Sequence, residues 1–317
     1  MEASKRPTEA RGGFPHPRII DIQRARILAA MVALAAERGF AGATVARVVA
    51  RSGVSRRTFY ELFSDREECF LAAFDDGIAR VAREVVPAYE GAGTWREKIR
   101  AALCALLQVL DYEPGMGRLV VVETLGAGPL ALERRARSLA QVVTVVDEGR
   151  REGKRGDGPP PLTAEGIAGA VFSVIHTRMV EGDRRPLVML VNPLTSMIVL
   201  PYLGAAAARG ELDRPLPKRS ERPTPAPARA DPLAELGMRV TYRTMRVLYA
   251  VGEQPGASNR AVGHAAGIED QGQISKLLAR LARLGLIENT GDGAKGAPNA
   301  WSLTERGEGL SQAVGQR

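Results

Sequence analysis

Six prolines, Pro215, Pro217, Pro223, Pro225, Pro227 and Pro232, crowd the stretch from Leu212 to Pro232, mixed with Lys218, Arg219, Arg222 and Arg229. Proline lacks a backbone N–H and fixes its own φ, and the cations repel one another, so this stretch favours an extended spacer with nothing to bury. Whatever follows it must build its own core. The length agrees, since 317 residues suit about two domains of roughly 150 residues each. Two further breaks are a basic arm rich in Pro and Gly at the N-terminus and the loop GKRGDGPPP at 153–161. The reading is a flexible arm over 1–18, folded segments over 19–66 and 67–211, a Pro-rich linker over 212–231 and a final domain over 232–317.

Hydrophobic residues make up 45% and charged residues 25%, which excludes wholesale disorder and fibrous architectures. The net charge of +8 suits a polyanionic partner. Only six of the 44 basic residues are Lys, so an Arg-rich composition raises charge throughout the chain and does not by itself select that partner. Cys69 and Cys104 lie in apolar stretches without CxxC spacing, which points away from a disulfide framework or zinc ribbon and towards a reducing, cytoplasmic setting. His16, His176 and His264 are scattered, with no carboxylate or Cys at ligand spacing, so no metal site is expected.

No charge interrupts residues 186–208, a length that could nearly span a bilayer. Pro193, Pro201, Asn192, Thr195 and Ser196 argue instead for a buried helix, broken or kinked, at the centre of a core or a subunit interface, and no membrane partner is expected. Elsewhere the apolar period is near 3.6. Ile27, Met31, Leu34 and Ala35 share one helical face, as do Leu103, Leu106, Leu107 and Leu110, so residues 19–211 read as all-helical.

Residues 42–63 carry the first motif, GATVARVVARSGVSRRTFYELF. Thr44 suits an N-cap, Gly53 a sharp turn, Val54 a plug between helices, and Ser55 the cap of a second helix with Phe59, Leu62 and Phe63 inward. The outer face then displays Arg56, Arg57, Thr58 and Tyr60. Two guanidinium forks can read guanine edges and two hydroxyls can hold phosphates.

With Thr44, Ala50, Ser52, Gly53, Val54, Ser55, Thr58, Tyr60, Phe63 and Glu67 in register, this segment resembles the TetR family of transcriptional regulators. Arg66 stands where that family often places a phosphate-binding Lys. Arg57 replaces the usual Gly, and Leu62 stands where His or Tyr is frequent. The resemblance implies a three-helix DNA-binding domain, with Thr44, Ser55, Arg56, Arg57, Thr58, Tyr60 and Arg66 at the DNA. It further implies a helical regulatory bundle whose last two helices dimerise and whose earlier helices enclose an effector pocket. Beyond residue 67 the likeness is one of length and helical pattern.

Residues 118–147 imitate a dinucleotide-binding unit through Gly126-x-Gly128-x-x-Ala131 and an acid at Asp147. A doubly wound sheet needs repeated strand and helix units, which the flanking regions lack, and Gly128-Pro129 reads better as a helix start. A nicotinamide-dependent enzyme is therefore the weaker alternative, and no catalysis or cofactor is expected. Helices at about 66–89, 95–111, 115–126, 129–152, 163–182 and 186–208 should form the bundle. Ile167, Val171, Val174 and Ile175 on one helix, with Leu190, Leu194 and Ile198 from the uncharged run, make the candidate homodimer interface. Nothing in Phe74, Trp95, Tyr112, Met116 or Phe172 identifies an effector beyond a small apolar or amphipathic molecule.

After the linker, Asp231-Pro232 reads as a helix start, Ser258 as the cap of a short helix, and Gly267 as a turn into QGQISKLLARLARLGL. Ile274, Leu277, Leu278, Leu281 and Leu284 point inward there. Gln273, Ser275, Lys276, Arg280 and Arg283 point outward. Two short strands, LIENT and NAWSL, flank a Gly-rich tip with Lys295, and Thr304 caps a last helix. This order resembles the MarR-like winged helix, down to Leu303, Thr304 and Gly307 after the wing, and implies a second DNA contact through Gln273, Ser275, Lys276, Arg280 and Lys295. A protein-interaction adaptor is the other use of such a fold.

The sequence thus predicts a mainly α protein: a TetR-like all-helical homodimer with an appended winged-helix domain containing a short β-hairpin. Its expected function is that of a cytoplasmic, nucleoid-associated repressor that binds an inverted-repeat operator in double-stranded DNA and answers to a small-molecule effector.

Overall fold

Side chains repeating every three or four residues set the helices, and their burial shows which face turned inward. In the computed structural model Ile27, Met31, Leu34 and Ala35 are all buried, as the period requires. The structure describes residues 16–153, 158–182, 185–216, 242–291 and 298–315. Most of the expected arm, nearly all of the linker, the Asp231-Pro232 helix start and Lys295 lie outside the described residues.

By internal contacts the chain divides into two compact units, Ile27–Ser52 with Tyr60–Ala226, and Met1–Arg26 with Gly53–Phe59 and Pro227–Arg317.

The helices in chain order are α1 (His16–Gly42), α2 (Val45–Ser52), α3 (Arg56–Leu62), α4 (Arg66–Glu90), α5 (Trp95–Tyr112), α6 (Pro114–Val121), α7 (Pro129–Asp147), α8 (Thr163–Glu181) and α9 (Val191–Leu212). In the larger unit α5 is central. Thr94 and Glu97 close a capping box at its start, and Trp95, Ile99, Leu103, Leu107 and Leu110 then follow on one buried face. Each such side chain contributes roughly 1.5 to 3 kcal/mol by leaving water. The same core takes Val146 from the end of α7, Ile167, Val171 and Ile175 from α8, and Leu194, Ile198 and Tyr202 from α9. Asp111 fixes the entry to α9 by accepting from the backbone N–H of Leu187 at 2.7 Å and of Val188 at 3.0 Å.

α1 breaks where the sequence reading placed no break, and the 186–208 run, expected broken or kinked, breaks at a glycine. α1 is interrupted at Gly39, which has φ 72°, and the N–H of Phe40 is taken by Glu123 Oε2 at 3.1 Å. α9 runs on through Pro201 and breaks instead at Gly204, with φ 83°. A left-handed φ without steric cost is a glycine property, so the break falls there and not at the proline. The stretch Leu187–Leu212 passes a length and composition test for a membrane span at mean hydropathy 1.7, but 44% of its most apolar window is buried inside the protein.

In the other unit, α10 (Tyr242–Glu253), α11 (Asn259–Ala265), α12 (Gln271–Arg283) and α13 (Glu305–Gly315) enclose Val247, Leu248, Ile274, Leu278 and Leu281, against which Ile22 also packs. Strands β1 (Ile287–Asn289) and β2 (Trp301–Leu303) pair antiparallel, Ile287 opposite Leu303 and Asn289 opposite Trp301. Asn259 ties the elements together. Its Oδ1 accepts from Trp301 Nε1 at 2.6 Å, and its Nδ2 donates to Ser275 Oγ at 3.1 Å. Thr304 caps α13, its Oγ1 accepting from Gly307 N at 3.1 Å.

The stretch 118–147 is helical. Residues 118–121 close α6, a 3-10 turn covers Glu123–Gly126, and α7 opens at Pro129, so the imitation of a strand-turn-helix unit contains no strand.

Candidate nucleic-acid interface

Residues 44–63 fold as their local chemistry directs. Arg47 N donates to Thr44 Oγ1 at 3.4 Å, and α2 buries Val48, Val49 and Ser52. Gly53 turns the chain with φ 66°, a conformation that other L-residues adopt at a steric cost, and Val54 is 1% exposed. Ser55 Oγ accepts from Thr58 N at 3.0 Å and lies 2.8 Å from Thr58 Oγ1. The two hydroxyls therefore face each other as part of the cap.

Phe59 and Phe63 are buried. Leu62, expected inward, is half-buried and ends α3. The exposed positions of α3 are Arg56, Arg57, Tyr60 and Glu61, with Tyr60 47% exposed. One helix thus carries two adjacent guanidiniums and a phenol on its solvent side.

Arg66 packs against the end of α1. Its guanidinium stacks 4.2 Å above the Phe40 ring and donates to Ala41 O at 3.3 Å. It clamps the end of α1 to the start of α4. On α2, Arg47 Nη1 donates to Gly42 O at 2.8 Å, and Arg51 Nη1 lies 2.7 Å from Glu37 Oε2.

The second expected surface lies on α12, whose N-cap Asp270 accepts from Gly272 N and Gln273 N at 2.8 and 2.9 Å. These bonds hold the Asp270 carboxyl below its ordinary range. Gln273, Ser275, Lys276 and Arg280 are all exposed. Two of them are already engaged within the unit. Gln273 Oε1 accepts from Arg243 Nη1 at 2.8 Å, and Ser275 accepts from Asn259.

The expected dimer face turns out to be interior. Ile167, Val171, Ile175, Leu194 and Ile198 are buried in the chain's own core, with Val174 and Leu190 packed half-buried against it. α8 and α9 are apolar on both sides, so hydropathy alone did not distinguish their faces. α8 exposes Gly166, Gly169, Ala170, Ser173, Thr177 and Val180 between Glu165 and Glu181 near its ends, and α9 exposes Pro193, Leu200, Pro201, Ala205, Ala206, Arg209, Gly210 and Leu212.

A cavity of about 440 Å³ opens inside the larger unit, walled by α4, α5 and α7 with contributions from α6, α8 and α9. Phe74 and Phe172 line it, whereas Trp95 and Met116 belong to the surrounding core. Leu103, Leu106, Val142 and Val171 supply aliphatic wall, and among the described residues Glu90 and Arg135 are the charged ones that line it. The Tyr89 hydroxyl donates to Glu148 Oε2 at 2.6 Å, and burial with this carboxylate pushes the phenol well above its ordinary range. Sequence reasoning missed Arg135. The signal was present in the helical phase, since Arg135 lies one turn before Leu139 and two before Val142 on the face that lines the cavity. Among the described residues no group of three or more His, Cys, Asp or Glu is placed to hold a metal.

Residues 27–73 match the family model of bacterial regulatory proteins of the tetR family. No curated protein matches the chain. Among solved structures, the fatty acid degradation regulator FadR from Bacillus halodurans is similar at TM-score 0.50 and 19% identity, covering 55% of this chain and 97% of its own. The transcriptional regulator FadR from Bacillus subtilis, in complex with stearoyl-CoA, has TM-score 0.49 and 17% identity, covering 55% of this chain and 97% of its own. The ketosteroid transcriptional regulator KstR2 of Mycobacterium tuberculosis has TM-score 0.44 and 16% identity, covering 56% and 93%. At 19% identity the likeness to the Bacillus halodurans protein is one of fold.

Proposed function

We propose that this chain is a cytoplasmic, nucleoid-associated transcriptional regulator that binds double-stranded DNA through α3 as a homodimer and is released by a small apolar or amphipathic effector. One observation carries the reading: α3 exposes Arg56, Arg57 and Tyr60 directly after a turn with Gly53 at φ 66°, inside the segment that matches the tetR family model. A recognition helix needs this arrangement, with donors on the outer face and aromatic anchors on the inner one. Repression is the sign of regulation that the family resemblance implies.

Small residues on the outer sides of α8 and α9, among them Gly166, Gly169, Ala170 and Ser173 with Ala205 and Ala206, support pairing with a second copy, because small residues let helices approach closely. A two-fold dimer presents its recognition helices to half-sites roughly 34 to 36 Å apart on an inverted repeat. An effector in the cavity then weakens DNA binding by its differential affinity for dimers of different helix separation.

The order of α10 to α13 around β1 and β2 supports a winged-helix reading of the C-terminal unit, with Lys276 and Arg280 of α12 as DNA contacts. An adaptor role is favoured by the internal bonds that occupy Gln273 and Ser275. Selection from a random duplex pool with the full chain tests the whole reading: inverted repeats should be enriched, and sequences without symmetry would contradict a two-fold complex. The same selection with Lys276→Ala and Arg280→Ala together should change the flanking preference if α12 reads DNA, and leave it unchanged if that unit is an adaptor.

A further inference from the structure

The cavity wall contains one cation without a counter-charge. α7 carries three arginines within four residues, and Arg134 is paired with Asp75 and Arg137 with Glu133. Arg135 alone has no hydrogen-bond or ion-pair partner among the described residues, yet it is half-buried and lines the cavity. Burial lowers its guanidinium below the ordinary arginine range, with no neighbouring carboxylate opposing the shift. Such a guanidinium, partly withdrawn from water and with no protein acceptor on its N–H groups, keeps its donors open to an anion that enters the cavity.

The placement of that cation defines a direction. The pairs Arg134 with Asp75 and Tyr89 with Glu148 hold α4 beside α7 and the 3-10 turn that follows it, and the second pair lies fourteen residues further along both segments than the first. That offset spans roughly 20 Å of helix. Arg135 therefore lies at one end of the cavity and Glu90 at the other, with a mainly apolar wall between them that Gln141 interrupts. The remaining polar groups are mostly closed off, since Tyr89 donates to Glu148 and Ser138 Oγ donates to Arg134 O at 3.2 Å.

We propose that the cavity binds an elongated apolar molecule bearing a single anionic head, seated with that head on Arg135 and its tail running towards Glu90. A fork of guanidinium donors recognises a carboxylate or a phosphate alike. Glu90 at the far end disfavours a second anionic group. This rests on the reading of the cavity as the effector site and names its ligand class.

The test uses the full chain and three probes of equal chain length below their aggregation limits: dodecanoate, dodecyl phosphate and 1-dodecanol, with binding measured by calorimetry. At least one anion should bind roughly tenfold or more tightly than the alcohol. Which anion binds better separates a carboxylate source from a phosphate source. Arg135→Gln should bring the anions down to the level of the alcohol while leaving the alcohol unchanged, and Arg135→Lys should restore part of the preference. Equal binding of anion and alcohol, an anion preference that survives Arg135→Gln, or no binding of any probe overturns the proposal. DNA binding of the ligand-free protein is measured in the same preparations. Its loss would sink the regulator reading alone, and its presence without an anion preference would sink only this assignment.

Discussion

Arg100 Nη1 lies 3.3 Å from Glu211 Oε2, and the Glu211 side chain is 1% exposed. Arg96 and Arg214 approach the other oxygen at 3.4 and 3.2 Å. Arg100 also donates to Pro215 O at 2.9 Å, and Asn192 Nδ2 to the carbonyls of Leu212 and Arg214 at 3.2 and 2.6 Å. The end of α9 and the start of the linker are thereby fastened to α5 and to the first turn of α9. Removing one side of a buried pair leaves the other uncompensated, so Glu211→Ala should destabilise the larger unit by about 3 kcal/mol or more in denaturant unfolding. Arg214→Ala removes a more exposed partner and should cost about 1 kcal/mol or less. Equal effects would contradict the cage.

Each unit holds one of the two tryptophans, Trp95 in the larger and Trp301 in the C-terminal one. A Cβ on Gly307 would fall on the Leu286 carbonyl oxygen, and backbone cannot yield as a flexible side chain does. Gly307→Ala should therefore cost roughly 3 kcal/mol in the C-terminal unit. In a Trp95→Phe background the fluorescence of Trp301 reports that loss. An unshifted Trp301 transition would refute the packing of α13 on the hairpin.

Tyr202 predicts an alkaline weakness. Burial first, and then the nearby Asp147 carboxylate, which its hydroxyl meets at 3.2 Å, push the phenol up to about 12. Below the ordinary phenol value of 10 both folded and unfolded chains hold the proton, and the contribution to stability is fully present. It is lost as pH rises through about 12. Urea midpoints measured between pH 9 and 11.5 should fall more steeply for the native chain than for Tyr202→Phe, which has no proton to lose. Parallel slopes would contradict the burial of this hydroxyl.

The parts legible in the sequence were those whose chemistry is local. Thr44, Gly53, Ser55, Ser258, Gly267 and Thr304 act within a turn of their own positions, and helices and caps fell where those residues direct. The break at Gly39 and the position of the break at Gly204 were not legible, because a glycine takes a left-handed φ only where the surroundings reward it, as Glu123 does by accepting from Phe40 N. The faces of α8 and α9 were misassigned for a related reason. Ile167, Val171 and Ile175 look like an interface until the chain's own core claims them, while the exposed face is written in Gly166, Gly169, Ala170 and Ser173. Arg66 matched a phosphate-binding position, and the aromatic ring that holds it lies 26 residues earlier.

The central claim is that α3 presents Arg56 and Arg57 to DNA, and the titration of a selected duplex by fluorescence anisotropy across a range of salt concentrations tests it most directly. Native protein should lose log affinity by about 0.9 per phosphate contact for each log unit of salt, and Arg56→Ala or Arg57→Ala should weaken the cognate site by about 1 to 3 kcal/mol. Affinity that ignores both the salt and the two substitutions would contradict the account.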